Sequence, residues 1–171
     1  MKLLMTALLL ACVMGNPLLA QSPYTSYADS AQAGSYILNG IISKYAVMNN
    51  AEYSWYKTNQ EAYAPSADVL EAMEKAKGKF TFLVFGGTWC EDTHFIIPKF
   101  FKLQELSGIA DKDISFIGVT RLKTTLGNLT RVFNISHVPT IIILKDGKET
   151  GRLVEYGSTG LWDKELVTLL K

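Results

Sequence analysis

Apolar positions along the chain change their spacing several times, and each change marks an element. Between Ala28 and Met48 the residues Leu38, Ile41, Ile42, Tyr45 and Met48 recur at threes and fours. That is the spacing of one helix face, and an amphipathic helix is predicted there, interrupted by Gly34 and Gly40. Pro65-Ser66-Ala67-Asp68 opens a second helix, with Ser66 as N-cap, Val69, Leu70, Met73 and Ala76 as its apolar stripe, and Gly78 as its stop. Lys79 to Phe85 is then an unbroken apolar run, the pattern of a strand buried on both faces. Gly86 to Trp89 forms a tight loop. A helix from about Asp92 to Leu106 follows, presenting Phe95, Ile96, Phe100, Leu103 and Leu106, with Pro98 inside it.

The second half repeats the alternation. Ile114 to Thr120 reads as a strand, Thr125 to Phe133 as a short helix, and Thr140 to Leu144 as another strand. Asp146-Gly147 is a two-residue hairpin signal that returns the chain through Arg152 to Tyr156. Leu161 to Leu170 closes with an amphipathic helix. Apolar strands separated by helices imply an α/β fold, with a central mixed sheet covered on both faces and the hairpin antiparallel at one side.

The first twenty residues change this picture. Lys2, the apolar stretch Leu3–Val13 and the ending Leu18-Leu19-Ala20 have the three-part form of a secretory signal, and the apolar run is too short for a lasting membrane span. The expected organisation is a signal peptide (1–20), a helical, aromatic-rich extension (21–65) and the main domain (66–171). Export implies a periplasmic or extracellular location. Leu9-Leu10-Ala11-Cys12 keeps open a lipoprotein anchored through Cys12. The extension holds Tyr53, Trp55, Tyr56 and Tyr63, and seven of the eight tyrosines precede Pro65. These rings either pack the extension on the main body or form an aromatic ligand surface.

Signal removal takes away Lys2 and leaves 16 basic against 16 acidic residues. A neutral chain without a basic run gives no basis for nucleic-acid or anionic-membrane binding. Removal also takes Cys12, so Cys90 becomes the one cysteine of the mature chain. A lone thiol in an exported protein stays free, reacts, binds metal or pairs with another molecule.

Gly86-Gly87-Thr88-Trp89-Cys90-Glu91-Asp92-Thr93 follows a buried strand and opens a helix, Pro98 stands eight residues after Cys90, and His137-Val138-Pro139-Thr140 precedes a strand. Together these resemble the thioredoxin-like family, in which Trp-Cys-x-x-Cys starts a helix and a cis-proline faces the attacking cysteine. The resemblance covers about Ser66 to Lys171 and implies a thioredoxin-like fold, Cys90 as nucleophile, and substrate contacts from Trp89, Val138 and Pro139. Two departures accompany it. Thr93 holds the place of the second cysteine, and Val84 stands where the family usually buries an aspartate.

The implied chemistry is thiol-disulfide exchange of a monothiol kind. A thiolate attacks, and an ordinary cysteine is mostly protonated at neutral pH. The helix start favours negative charge, Thr93 could donate to the sulfur, and His94 could add positive charge, whereas Glu91 and Asp92 act the other way. The expected partners are protein or small-molecule thiols and disulfides, with an external resolving thiol, and no cofactor is expected. Two alternatives stay open: a non-catalytic module that binds a peptide or partner, and a copper or zinc site built from Cys90, His94 and His137.

Overall fold

Strand β3 (Thr81–Gly86) is apolar from Phe82 to Phe85 because it lies inside a six-stranded sheet. The structure is a computed structural model describing residues 22–171; the signal read in residues 1–20, with Cys12, lies outside them. Beside β3 lie β4 (Ile114–Gly118), parallel, and β5 (Thr140–Lys145), antiparallel. The sheet continues outward from β5 to β6 (Lys148–Val154), and from β4 to β2 (Tyr36–Ile42) and β1 (Tyr24–Ala28). Asp146 and Gly147 both take positive φ, 52° and 75°, as the predicted β5–β6 hairpin turn requires.

The helices are α1 (Lys44–Met48), α2 (Trp55–Glu61), α3 (Ala67–Ala76), α4 (Glu91–Ser107), α5 (Leu129–Val132) and α6 (Trp162–Thr168). Because strand side chains alternate, the sheet feeds two hydrophobic clusters. Phe82, Val84, Phe116, Ile141 and Ile143 join Val69 and Met73 of α3, Ile96, Phe100 and Leu103 of α4, and Leu166 of α6. Phe85, Ile117 and Ile142 join Val119, Ile135 and Val138 on the opposite face. The mixed sheet flanked by helices is the fold class that the sequence predicts.

The extension corrects one expectation. Residues Ala28 to Ile42, read as helix, form the β1–β2 hairpin, and helix survives only from Lys44. Leu38, Gly40 and Ile42 alternate inward while Ile41 is 52% exposed, the pattern of a strand rather than a helix face. Gly40 has φ of 124°, and a Cβ there would lie 2.5 Å from the Pro23 carbonyl oxygen. The open edge of β4 decides the outcome: β2 pairs along it from Gly40↔Gly118 to Ile42↔Phe116, satisfying backbone groups that a helix would leave bare.

Several aromatic rings of the extension serve packing, while Tyr27, Tyr36 and Tyr45 stay exposed. Tyr53 and Tyr56 are buried in the larger cluster beside α3 and α4. The Tyr53 hydroxyl donates to the Tyr36 carbonyl at 3.1 Å, and that of Tyr63 donates to Asp163 at 2.9 Å. The Tyr56 hydroxyl is buried without a partner among the described residues. Ser66 precedes α3 as predicted, yet its oxygen accepts Lys164 Nζ at 2.6 Å instead of capping the helix.

Gly40→Ala is expected to lower the free energy of unfolding by about 2 kcal/mol, through positive-φ strain and the clash with Pro23. Urea unfolding measures it; an unchanged midpoint would show that the hairpin contributes nothing to the fold.

Candidate functional site

The end of β3 delivers the chain into a loop that needs glycine at position 87. A Cβ on Gly87 would lie 2.6 Å from the Trp89 indole, which folds over that position. The Cys90 N–H donates to the Gly87 carbonyl at 2.9 Å and closes the loop. Cys90 is then the N-cap of α4, with extended backbone (φ −102°, ψ 122°), and its side chain leaves the helix's own N–H groups uncapped. The thiol instead donates to the Val138 carbonyl at 3.2 Å. That contact is made by a protonated sulfur, because a carbonyl oxygen accepts and cannot donate. The next peptide, Val138–Pro139, is cis.

Cys90, Val138 and Pro139, named from the sequence, therefore meet at one end of the sheet, with Cys90 partly exposed. Trp89 lies beside them and its Nε1–H donates to the Val119 carbonyl at 2.8 Å. Thr93 has a different task from the one expected. It is 1% exposed, and its hydroxyl oxygen accepts the Gly87 N–H at 3.2 Å, so it braces the loop while the sulfur's hydrogen bond goes to Val138.

The histidines also depart from expectation. His94 Nε2–H donates to the Thr88 carbonyl at 2.7 Å, and its ring stacks on Trp55 of α2 with centroids 4.1 Å apart and planes 17° apart. Burial pushes its pKa below the ordinary value of 6.5, so the neutral ring is favoured and the expected positive charge beside the thiol is not supplied near neutral pH. His137 is exposed and shares a hydrogen bond with Ser136 Oγ at 2.9 Å. Among the described residues no three His, Cys, Asp or Glu side chains gather as a ligand set, so Cys90, His94 and His137 are not brought together as metal donors.

Several residues that complete the site escaped sequence reasoning. Thr88 Oγ1–H donates to the Tyr36 carbonyl at 2.8 Å and its oxygen accepts the Leu38 N–H at 3.3 Å, tying the loop to β2. Arg121 reaches Trp89, its guanidinium carbon 5.1 Å from the ring centroid, and Lys123 Nζ lies 4.9 Å from the same centroid. Asp29, buried in the β1–β2 turn, receives Arg121 Nε at 3.0 Å and Nη2 at 2.7 Å. Hydrogen bonding to Arg121 holds the Asp29 carboxyl below the usual carboxylate range. On the other wall, burial and then the Asp92 carboxylate push the Tyr156 phenol up. Asp29 and Arg121 lie far apart along the chain, and no local pattern pairs them.

The depressed His94 pKa links stability to pH. The unfolded chain takes up the imidazole proton near 6.5, the folded chain only at lower pH. The contribution of His94 to folding is therefore complete above about pH 6.5 and is lost as pH falls through the folded-state value. Urea midpoints compared between about pH 7 and pH 5 should fall further for the wild type than for His94→Gln; equal losses would exclude His94 as their source.

No protein-family profile matches the chain. A curated rice protein (Oryza sativa subsp. indica), a thioredoxin of H-type, is 32% identical over 87 residues, which cover 48% of this chain and 64% of that protein. The chain thus spans less than two thirds of the length of this relative. Among solved structures, a Pseudomonas aeruginosa protein of unknown function superposes with a TM-score of 0.51 at 16% identity, over 75% of this chain and 84% of that one. Thioredoxin from Fasciola hepatica gives 0.39 at 25% identity, over 61% of this chain and 93% of that one. The mixed sheet flanked by helices is a thioredoxin-like fold, and over 87 residues the sequence is similar to that of a thioredoxin.

Proposed function

We propose that the protein is an exported thiol-disulfide oxidoreductase of monothiol type, with Cys90 as its nucleophile. The observation that carries this reading is the half-exposed thiol at the start of α4, 3.2 Å from the carbonyl that precedes Pro139. A substrate strand lying along Val138 would bring its disulfide over the sulfur by strand addition, with Trp89 and Val138 as apolar contacts. The Cys90 thiolate attacks one substrate sulfur. A Cys90–substrate S–S bond forms, the substrate's own S–S bond breaks, and its second sulfur departs as a thiolate with the electron pair. An external thiolate then attacks the Cys90 sulfur, so that the substrate's first sulfur leaves as a thiolate and Cys90 is joined to the external thiol; a second external thiolate attacks that external sulfur, forming the external disulfide and releasing the Cys90 thiolate. The external thiols are the reductant, and the substrate gains two electrons.

Cys90→Ser is expected to abolish reduction of a test disulfide, because a hydroxyl is a far weaker nucleophile than a thiolate. Wild-type turnover by this variant in an insulin-reduction assay with an external thiol would end the reading. A binding module without turnover is the second reading. Thr93 and the fully buried Val84, in the places of a second thiol and a buried acid, favour it. Partner capture retained by Cys90→Ser, with no turnover by the wild type, is its signature.

Export rests on the pattern of residues 1–20 and predicts a mature chain beginning at Gln21. Intact-mass measurement of protein recovered from the extracytoplasmic fraction tests it; full-length protein confined to the cytoplasm would refute export.

A further inference from the structure

We propose that Trp89, Arg121 and Lys123 form a carboxylate-recognition site beside Cys90, which selects disulfides bearing an acidic group next to the sulfur. The inference rests on the redox reading above and names the substrate class of the same site.

Two cations gather on the indole that immediately precedes the thiol, one centred 5.1 Å and the other 4.9 Å from its ring centroid. The indole is itself fixed by its bond to the Val119 carbonyl. Asp29 holds Arg121 by Nε and Nη2, which orients the guanidinium and leaves Nη1 without a hydrogen-bond partner among the described residues. The Arg121 side chain is 38% exposed, so solvent and a ligand can reach it. Its charge also lies within Coulombic reach of Cys90.

Lys123 supplies the unspent charge. Its Nζ makes no ion pair among the described residues, whereas Asp29 already offsets Arg121. Its backbone is left-handed (φ 56°), and its N–H donates to the Thr120 carbonyl at 2.9 Å. That turn carries the lysine back over Trp89. Glu91 and Asp92 in the first turn of α4 are the acidic groups next to Cys90 in the chain, whereas the loop after β4 brings Arg121 and Lys123. A disulfide placed over Cys90 with a carboxylate toward Trp89 meets the free Nη1 of an oriented guanidinium and the uncompensated point charge of Lys123. The same charges favour the departing substrate thiolate. The bond changes are those of the exchange step already described, and no further reactant is needed.

The test compares three small disulfides of similar size: dithiodipropionate (anionic), hydroxyethyl disulfide (neutral) and cystamine (cationic). The rate at which each forms a mixed disulfide with Cys90 is read by mass spectrometry and divided by its rate with a free small thiol. The wild type should favour the anionic over the cationic probe by about threefold or more at low ionic strength, and less as salt is raised. Lys123→Glu should lower or reverse this ratio. Lys148→Glu, at the far end of the sheet, should leave it unchanged.

Equal normalised rates for the three probes overturn the carboxylate site and leave the redox reading standing. No reaction with any of them overturns both. A disulfide peptide with glutamate beside its cysteine, set against its glutamine twin, then identifies the source. Preference for the glutamate peptide assigns a protein segment; preference confined to dithiodipropionate assigns a small anionic disulfide.

Discussion

The register of β3 against its two neighbours decides where every functional group falls. Phe85 of β3 pairs with Thr140 of antiparallel β5, so the exit from β3 and the entry to β5 share one end of the sheet. Cys90, five residues beyond Phe85, thereby meets Val138, two residues before Thr140. Gly86 is registered with Gly118 of parallel β4, which brings the following loop, with Val119, Arg121 and Lys123, to the same end. Gly118 in turn faces Gly40 of antiparallel β2, so the β1–β2 turn carrying Asp29 arrives there too. A slip of one residue between β3 and β5 would exchange the two faces of a strand whose side chains feed both hydrophobic clusters. The two-sided core therefore enforces the geometry of the thiol.

The bonds around Cys90 refine that placement. Thr93 holds the loop from beneath through Gly87, and Thr88 holds it from the side through β2. The stacked pair of Trp55 and His94 holds it from behind through the Thr88 carbonyl. Each neutral hydrogen bond is worth about 1 kcal/mol net, but leaving its buried partner unsatisfied costs more, so the loop is well determined. The extension is consequently part of the machinery that positions the thiol, since Tyr36, Leu38 and Trp55 all belong to it.

What the sequence disclosed follows the range of the forces involved. The run Phe80–Phe85, the α4 helix and the Asp146-Gly147 turn are each specified by neighbours within a few residues, and the structure has them there, although of the predicted α4 stripe Phe95 and Leu106 are exposed and Ile97 and Phe101 are buried in their stead. The β1–β2 hairpin was not legible in that way. Leu38, Ile41, Ile42, Tyr45 and Met48 do fit a helix face, and only the open edge of β4, distant in sequence, makes a strand the better arrangement. Arg121 was illegible for the same reason: its role comes from Asp29 and Trp89, which reach it through the sheet and not along the chain. Thr93 was found by resemblance but assigned the wrong partner, because its bond to Gly87 depends on how the loop folds back.

The two departures from the dithiol pattern are settled locally, with no buried group left wanting. Thr93 supplies a hydroxyl oxygen to a buried N–H, a role that a weakly accepting sulfur would fill poorly. Val84, fully buried in the larger cluster, adds apolar contact where a carboxylate would need desolvation and a partner. These substitutions leave Cys90 as the single nucleophilic sulfur of the site. On the proposed reading this shifts control from an internal thiol to the surroundings of the mixed disulfide. With no second thiol among the described residues to release it, the bound partner stays until an external thiol reaches the Cys90 sulfur. The residues flanking that sulfur then govern both which disulfide is attacked and which thiol gains access, and Trp89 with its two cations occupies that flank.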